Sequence, residues 1–178
     1  MNINDIYTQE GKGKTYGKAN YNPLLDNLIQ NIDEGGQRPD FMQMIRMIES
    51  NNEREAKAST LHGDEYSAKG VYQFTNATVK RAKQRALNLG IDQGFISTIP
   101  NDPTMWNDKE ADVMFLSNMF AATMKEKGLV DNLLEKAFAG DGQAMQDLYY
   151  KVHHTGSKED KYYDNTKARV EQFMPLEI

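Results

Sequence analysis

Asp40-Phe41-Met42-Gln43-Met44-Ile45-Arg46-Met47-Ile48-Glu49-Ser50, directly after Pro39, decides how the rest of the chain is read. Phe41, Met44, Ile45 and Ile48 stand at i, i+3, i+4 and i+7, the spacing that lines one face of an α-helix with apolar side chains. Pro39 suits a first helical position, because its fixed φ is already helical and the N–H it lacks would have no partner there. Glu49 ends the helix four residues after Ile45 and eight after Phe41, on the edge of the apolar stripe. A carboxyl against apolar neighbours has its ionised form disfavoured, so it keeps a proton nearer neutral pH, as a general acid needs. A plainer reading of the same position leaves Glu49 in solvent at a fraying helix end.

Upstream, Pro23, Leu24, Leu25, Leu28, Ile29 and Ile32 predict a short amphipathic helix stopped by Gly35 and Gly36. Met1 to about Asn20 is rich in Gly, Lys, Asn and Gln without periodicity, and reads as an arm (1–20) ahead of one folded domain (21–178). After Ser50 the chain changes character. Ser59 to Phe74 carries small and polar residues, then Val71, Tyr72 and Phe74, and predicts a loop or small β-ribbon. Ala77 to Leu89 returns to helix with Lys80, Arg81, Lys83 and Arg85 on a solvated basic face, and stops at Gly90. A loop through Pro100, Asp102 and Pro103 leads to Trp106, a packing anchor. Asn107 or Asp108 then caps the longest helix, Asn107 to Lys127. That segment is apolar on most sides, which predicts a buried central helix. Leu129 to Ala139, Gly142 to His153 and Asp164 to Met174 supply three further helical patterns. The fold class is mainly α, with a small β element.

Composition narrows the function. The chain has 178 residues, enough for one domain with its own core, and 39% apolar with 10% aromatic residues is too high for a wholly disordered polymer. With no cysteine there is no disulfide framework. Lys and Arg number 21 against 26 Asp and Glu, a net charge of −5, which argues against nucleic acid as the main partner and against a DNA-associated helical protein. Met1 to Glu10 has no basic segment followed by an apolar one, and no apolar run approaches about 18 residues. Neither an export signal nor membrane insertion is expected. Gly11-Lys12-Gly13-Lys14-Thr15 imitates the end of a phosphate loop, but Thr8 stands where the first glycine belongs and no apolar strand precedes it. His62, His153 and His154 lack regular ligand spacing, so neither a metal nor a cofactor is expected.

Glu49-Ser50, then Ala58-Ser59, Gly63-Asp64, Gly70-Val71-Tyr72-Gln73-Phe74 and Thr75-Asn76-Ala77-Thr78 together resemble the lytic transglycosylase and goose-type lysozyme superfamily. In that superfamily a helix ends in a catalytic Glu-Ser, and a loop leads to a Gly-Leu-Met-Gln-like strand and a helix opening near a Thr. The resemblance covers about Asp40 to Thr78. It implies an α+β lysozyme-like fold with the β element beside a cleft, Glu49 as catalytic acid, and Ser50, Ser59, Tyr72 and Gln73 toward the sugar, Tyr72 and Gln73 on the cleft floor. Asp64, six residues before Gly70, is the candidate second carboxylate, with Glu65 beside it as a substitute. Later in the chain, Leu148-Tyr149-Tyr150-Lys151-Val152-His153-His154-Thr155-Gly156 partly matches the family's Ala-Tyr-Asn-Ala-Gly-like stretch. Tyr149 or Tyr150 would supply its tyrosine, and His154 falls on the same wall.

The implied reaction is cleavage of the β-1,4 bond between N-acetylmuramic acid and N-acetylglucosamine in peptidoglycan, as a hydrolase or a transglycosylase. The implied partner is the glycan strand. A phage origin is expected, the protein being carried in the virion beside other virion proteins or held in the host cytoplasm until release to the cell wall. The competing class is a non-catalytic virion or secretion-apparatus module that keeps the fold.

Overall fold

The structure, a computed structural model, describes residues 23–57, 67–123, 133–149, 168 and 170–173. The expected arm and domain boundary lie outside these residues. Helix α1, Pro23–Asp33, buries Leu25 and Leu28 and gives way at Gly35, whose φ of +71° turns the chain out of the helix. Helix α2, Asp40–Ser50, follows Pro39, which occupies the capping position one residue ahead of the helix. Its buried face is Phe41, Met42, Met44 and Ile45, joined by one charged residue, Arg46. Asn51 and Asn52 end it in the left-handed region, φ 54° and 62°, and their N–H groups bond the carbonyls of Met47 and Arg46. Asparagine tolerates that conformation better than most residues, so the chain stops and turns immediately after Glu49-Ser50.

Of the expected loop or small ribbon, the described part is a tight turn. Lys69 and Phe74 exchange both backbone hydrogen bonds at 2.9 Å, and the N–H of Gln73 bonds the carbonyl of Gly70. Lys57 also pairs with Lys69; among the described residues β structure amounts to isolated bridges, with no sheet. Positive φ at both Gly70 (+81°) and Gln73 (+54°) curls the chain instead of extending it. The β-prone Val71, Tyr72 and Phe74 are there because they are buried, which is much of what strand propensity measures.

Helix α3, Asn76–Asn88, starts with Thr75 Oγ1 accepting the Thr78 N–H and buries Val79, Ala82 and Ala86. Helix α4, Gln93–Thr98, capped by Asp92, occupies part of the expected loop, and a single 3-10 turn, Pro103–Met105, follows. Helix α5, Asp108–Thr123, opens on a reciprocal cap. The Glu110 N–H bonds Asn107 Oδ1 at 2.8 Å, and the Asn107 N–H bonds Glu110 Oε1 at 2.9 Å. From Glu110 to Phe120 every residue except Asn118 is buried, and α3 packs along it. It is the central helix the composition predicts. Its expected last residues lie outside those described. Helices α6, Glu135–Phe138, and α7, Gly142–Leu148, meet at Gly140, φ +94°, and pack together, with α6 also against α2. Residues 170–173 are helical, in the expected last segment. No described helix is long and apolar enough to cross a membrane.

Candidate functional site

Glu49 sits in the last turn of α2, half-buried, four residues beyond the fully buried Ile45. The hydroxyl of Tyr149 donates to its Oε1 at 2.7 Å, across 100 residues of chain. Tyr149 is 1% exposed, so its ring is locked in the core while its hydroxyl reaches the carboxylate. The delivery is mechanical. Asp141 caps α7, Ala144, Met145 and Leu148 bury its inner face, and Tyr149 extends that face by one residue. Because α7 rests on α6 and α6 on α2, the ends of α7 and α2 converge.

Ser50 Oγ lies 2.9 Å from the Val71 carbonyl and 3.0 Å from that of Arg46, so its one hydroxyl proton ties the end of α2 to the 70–73 turn. Gln73 gives its amide donors to the carbonyls of Gly70 (2.8 Å) and Ala56 (3.3 Å). Its N–H groups thus brace the turn from within.

Tyr72, expected with Gln73 on the cleft floor, is 1% exposed. Its ring stacks on Phe115 with centroids 4.4 Å apart, and its phenol donates to Asp112 Oδ1 at 2.6 Å. A large aromatic with its one polar group satisfied is more stable behind the site than at its surface. Burial, and then the negative charge of Asp112, pushes the phenol well above the usual tyrosine range.

Around that phenol lies a charge network the sequence reading missed. Asp112 accepts from Arg38 Nε at 3.0 Å and Arg46 Nη1 at 3.1 Å; Arg46 also reaches Asp108 Oδ1 at 2.7 Å and Asn52 Oδ1 at 2.8 Å. Arg46 and Asp112 are each 4% exposed. The bond from Arg46 holds the Asp108 carboxyl below the usual carboxylate range, although partial burial works against it. The signal was present: a charged residue inside the apolar face of α2, and another inside an apolar central helix, are each costly unless they meet.

Trp106 is the expected anchor, 3% exposed, edge-on to Phe74 with its indole N–H on the Pro100 carbonyl. The basic face of α3 is solvated only in part. Lys80 and Arg81 are exposed, whereas Lys83 bonds the Ile99 carbonyl and Asn101, and Arg85 bonds Asn118. Ser59, His62, Asp64, Glu65, Tyr150, His153 and His154 lie outside the described residues. Among those described, no group of three or more His, Cys, Asp or Glu side chains is placed to hold a metal ion. Comparison with family models, with curated proteins and with solved structures finds no match to this chain.

Proposed function

We propose that this chain cleaves the glycan strand of peptidoglycan at the β-1,4 bond between N-acetylmuramic acid and N-acetylglucosamine, on a lysozyme-like fold, with Glu49 as general acid. The observation that supports it most is the hydrogen bond from Tyr149 to Glu49. Two residues singled out separately, one by a helix-end Glu-Ser and one by a late tyrosine motif, are in contact. A general acid works by geometry first: its carboxyl must be held where the leaving oxygen will lie. Tyr149, immobile in the core, fixes one carboxyl oxygen. Glu49 then hands its proton to the glycosidic oxygen as the bond to the anomeric carbon breaks.

Two fates follow for that carbon. Water attacks it with Asp64 as base, leaving a reducing end, or the muramyl 6-hydroxyl attacks it and returns its proton to Glu49, leaving an anhydro end. Because the substrate is outside a bacterial cytoplasm, the reading includes delivery by a phage, in its virion or by release at lysis.

The test is release of soluble fragments from purified sacculi by wild type and by Glu49→Gln. Loss of the acid is expected to lower the rate by at least about 100-fold, and mass spectrometry of the wild-type products separates reducing from anhydro ends. Undiminished lysis by Glu49→Gln would overturn the acid assignment. Wild-type binding to sacculi with no fragment release would favour the non-catalytic module.

A further inference from the structure

A cavity of about 250 Å³ opens where the start of α5, the end of α2 and the 70–73 turn meet. Arg38, Arg46 and Arg54 line it with Asp108 and Asn52, and Trp106, 3% exposed, stands behind them. The positive charge is local, on a chain whose net charge is −5.

The three arginines are not equivalent. Arg46 has each of its three nitrogens engaged, Nε by Asn52, Nη1 by Asp112 and Nη2 by Asp108. Arg38 spends Nε and Nη2 on Asp112, with Nη2 also 3.9 Å from Asp108, and its Nη1 has no partner among the described residues. Arg54 is exposed and makes no hydrogen bond or ion pair among the described residues, although it is near enough for its charge to favour the ionised form of Asp108. Three cations against Asp108 and Asp112 leave one positive charge, carried by groups that still have donors to give. The cavity also holds a template for its ligand: Asp108, with a side chain 66% exposed, lays a carboxylate against Arg46 at the cavity's edge.

We propose that this cavity binds a carboxylate-bearing ligand of about amino-acid size, with Arg54 and Arg38 as its donors. The planar fork of an arginine matches a carboxylate, and one uncompensated positive charge matches a monoanion better than a phosphate. The volume is just below the roughly 300–1,000 Å³ of pockets that hold drug-sized ligands, which fits a single acylated amino acid. None of these residues is in the candidate acid site, so the inference is independent of the wall-cleaving reading.

Trp106 is the chain's single tryptophan and lines the cavity, so its fluorescence reports occupancy directly. The full chain is titrated with N-acetylalanine, with its neutral amide, and with inorganic phosphate. N-acetylalanine is expected to bind in competition with salt, and the amide not to bind. Arg54→Gln is expected to weaken binding about fivefold, and Asp108→Asn, which removes the resident carboxylate, to tighten it by a similar factor, each near the value of one screened charge contact. Glu49→Gln is expected to bind like wild type whether or not it retains lysis. Absence of a response to N-acetylalanine, equal affinity in wild type and Arg54→Gln, or preference for phosphate would each overturn the proposal.

Discussion

The contact between Glu49 and Tyr149 joins a half-buried carboxylate to a fully buried phenol, and that asymmetry sets what each residue can do. In the proposed reaction Glu49 is the acid, and Tyr149 is a positioning residue that acts through it. Tyr149→Phe keeps the ring that fills the core and removes only the hydroxyl. It is expected to lower kcat on sacculi about tenfold with KM nearly unchanged, a smaller loss than that of Glu49→Gln, because the hydrogen bond it removes is worth about 1.4 kcal/mol, near the upper end for a typical protein hydrogen bond. A purely structural tyrosine would lower the melting temperature without this split, so kcat, KM and melting are measured on the same preparation. The sequence left Tyr149 and Tyr150 as equals. That Tyr149 faces the core was nevertheless readable, because Ala144, Met145, Leu148 and Tyr149 stand at i, i+1, i+4 and i+5, one buried face of α7. The second carboxylate, Asp64, is implied by resemblance alone and lies outside the described residues, and a Gly-Asp pair in a polar stretch carries no periodicity that says where its side chain points.

Among the elements, the 70–73 turn is the one whose placement behind the site depends most on a single residue. Gly70 has φ +81°, and a Cβ built there would stand 2.9 Å from both the Cβ and the carbonyl oxygen of Pro103. Gly140 has φ +94° and open space around it. Gly140→Ala therefore bears the conformational cost alone, about 1–2 kcal/mol, while Gly70→Ala adds a clash with backbone that cannot move aside. Urea unfolding is expected to place Gly70→Ala below Gly140→Ala by at least a further 1 kcal/mol or so; equal midpoints would show that the turn yields freely. Helices with a long apolar period were legible for this reason: α2, α3 and α5 each bury one stripe or more against a neighbour, and burial writes the period into the sequence. Helix α4 was not, being six residues with only Phe95 and Ile96 to bury, and its sole signal was Asp92 ahead of it as a cap. The sequence left this stretch as loop or ribbon because Val71, Tyr72 and Phe74 report burial, and burial does not distinguish a strand from a coil pressed into a core.

Across the whole molecule, α2, the 70–73 turn and α5 are joined by one buried knot, in which Asp112 accepts from Arg38, Arg46 and Tyr72. Titratable groups of this knot, together with Asp102, make stability depend on pH at both ends of the range. Asp108 is held by Arg46, and Asp102 by the backbone N–H of Thr104, so both carboxyls lie below their value of 3.8 in an unfolded chain. The unfolded state then binds more protons, and the stability these groups contribute is present above about pH 4 and lost as pH falls through the folded values. Tyr72 works in the other direction. Its folded value is raised well above 10, so its contribution is complete below pH 10 and drains away as pH rises, because the unfolded phenol ionises while the buried one stays neutral. The chain has nine tyrosines, so the alkaline arm is isolated by difference. Tyr72→Phe is expected to melt below wild type at pH 7, having left Asp112 one donor short, by about 1–3 kcal/mol of stability. Above pH 10 wild type alone pays the ionisation of this phenol on unfolding in reverse, its unfolded state being favoured, so the gap between the two melting curves is expected to narrow. A gap that stays constant from pH 7 to 11 would mean that the phenol of Tyr72 ionises as readily in the folded chain as in the unfolded one, and that its bond to Asp112 does not bind α5 to the turn.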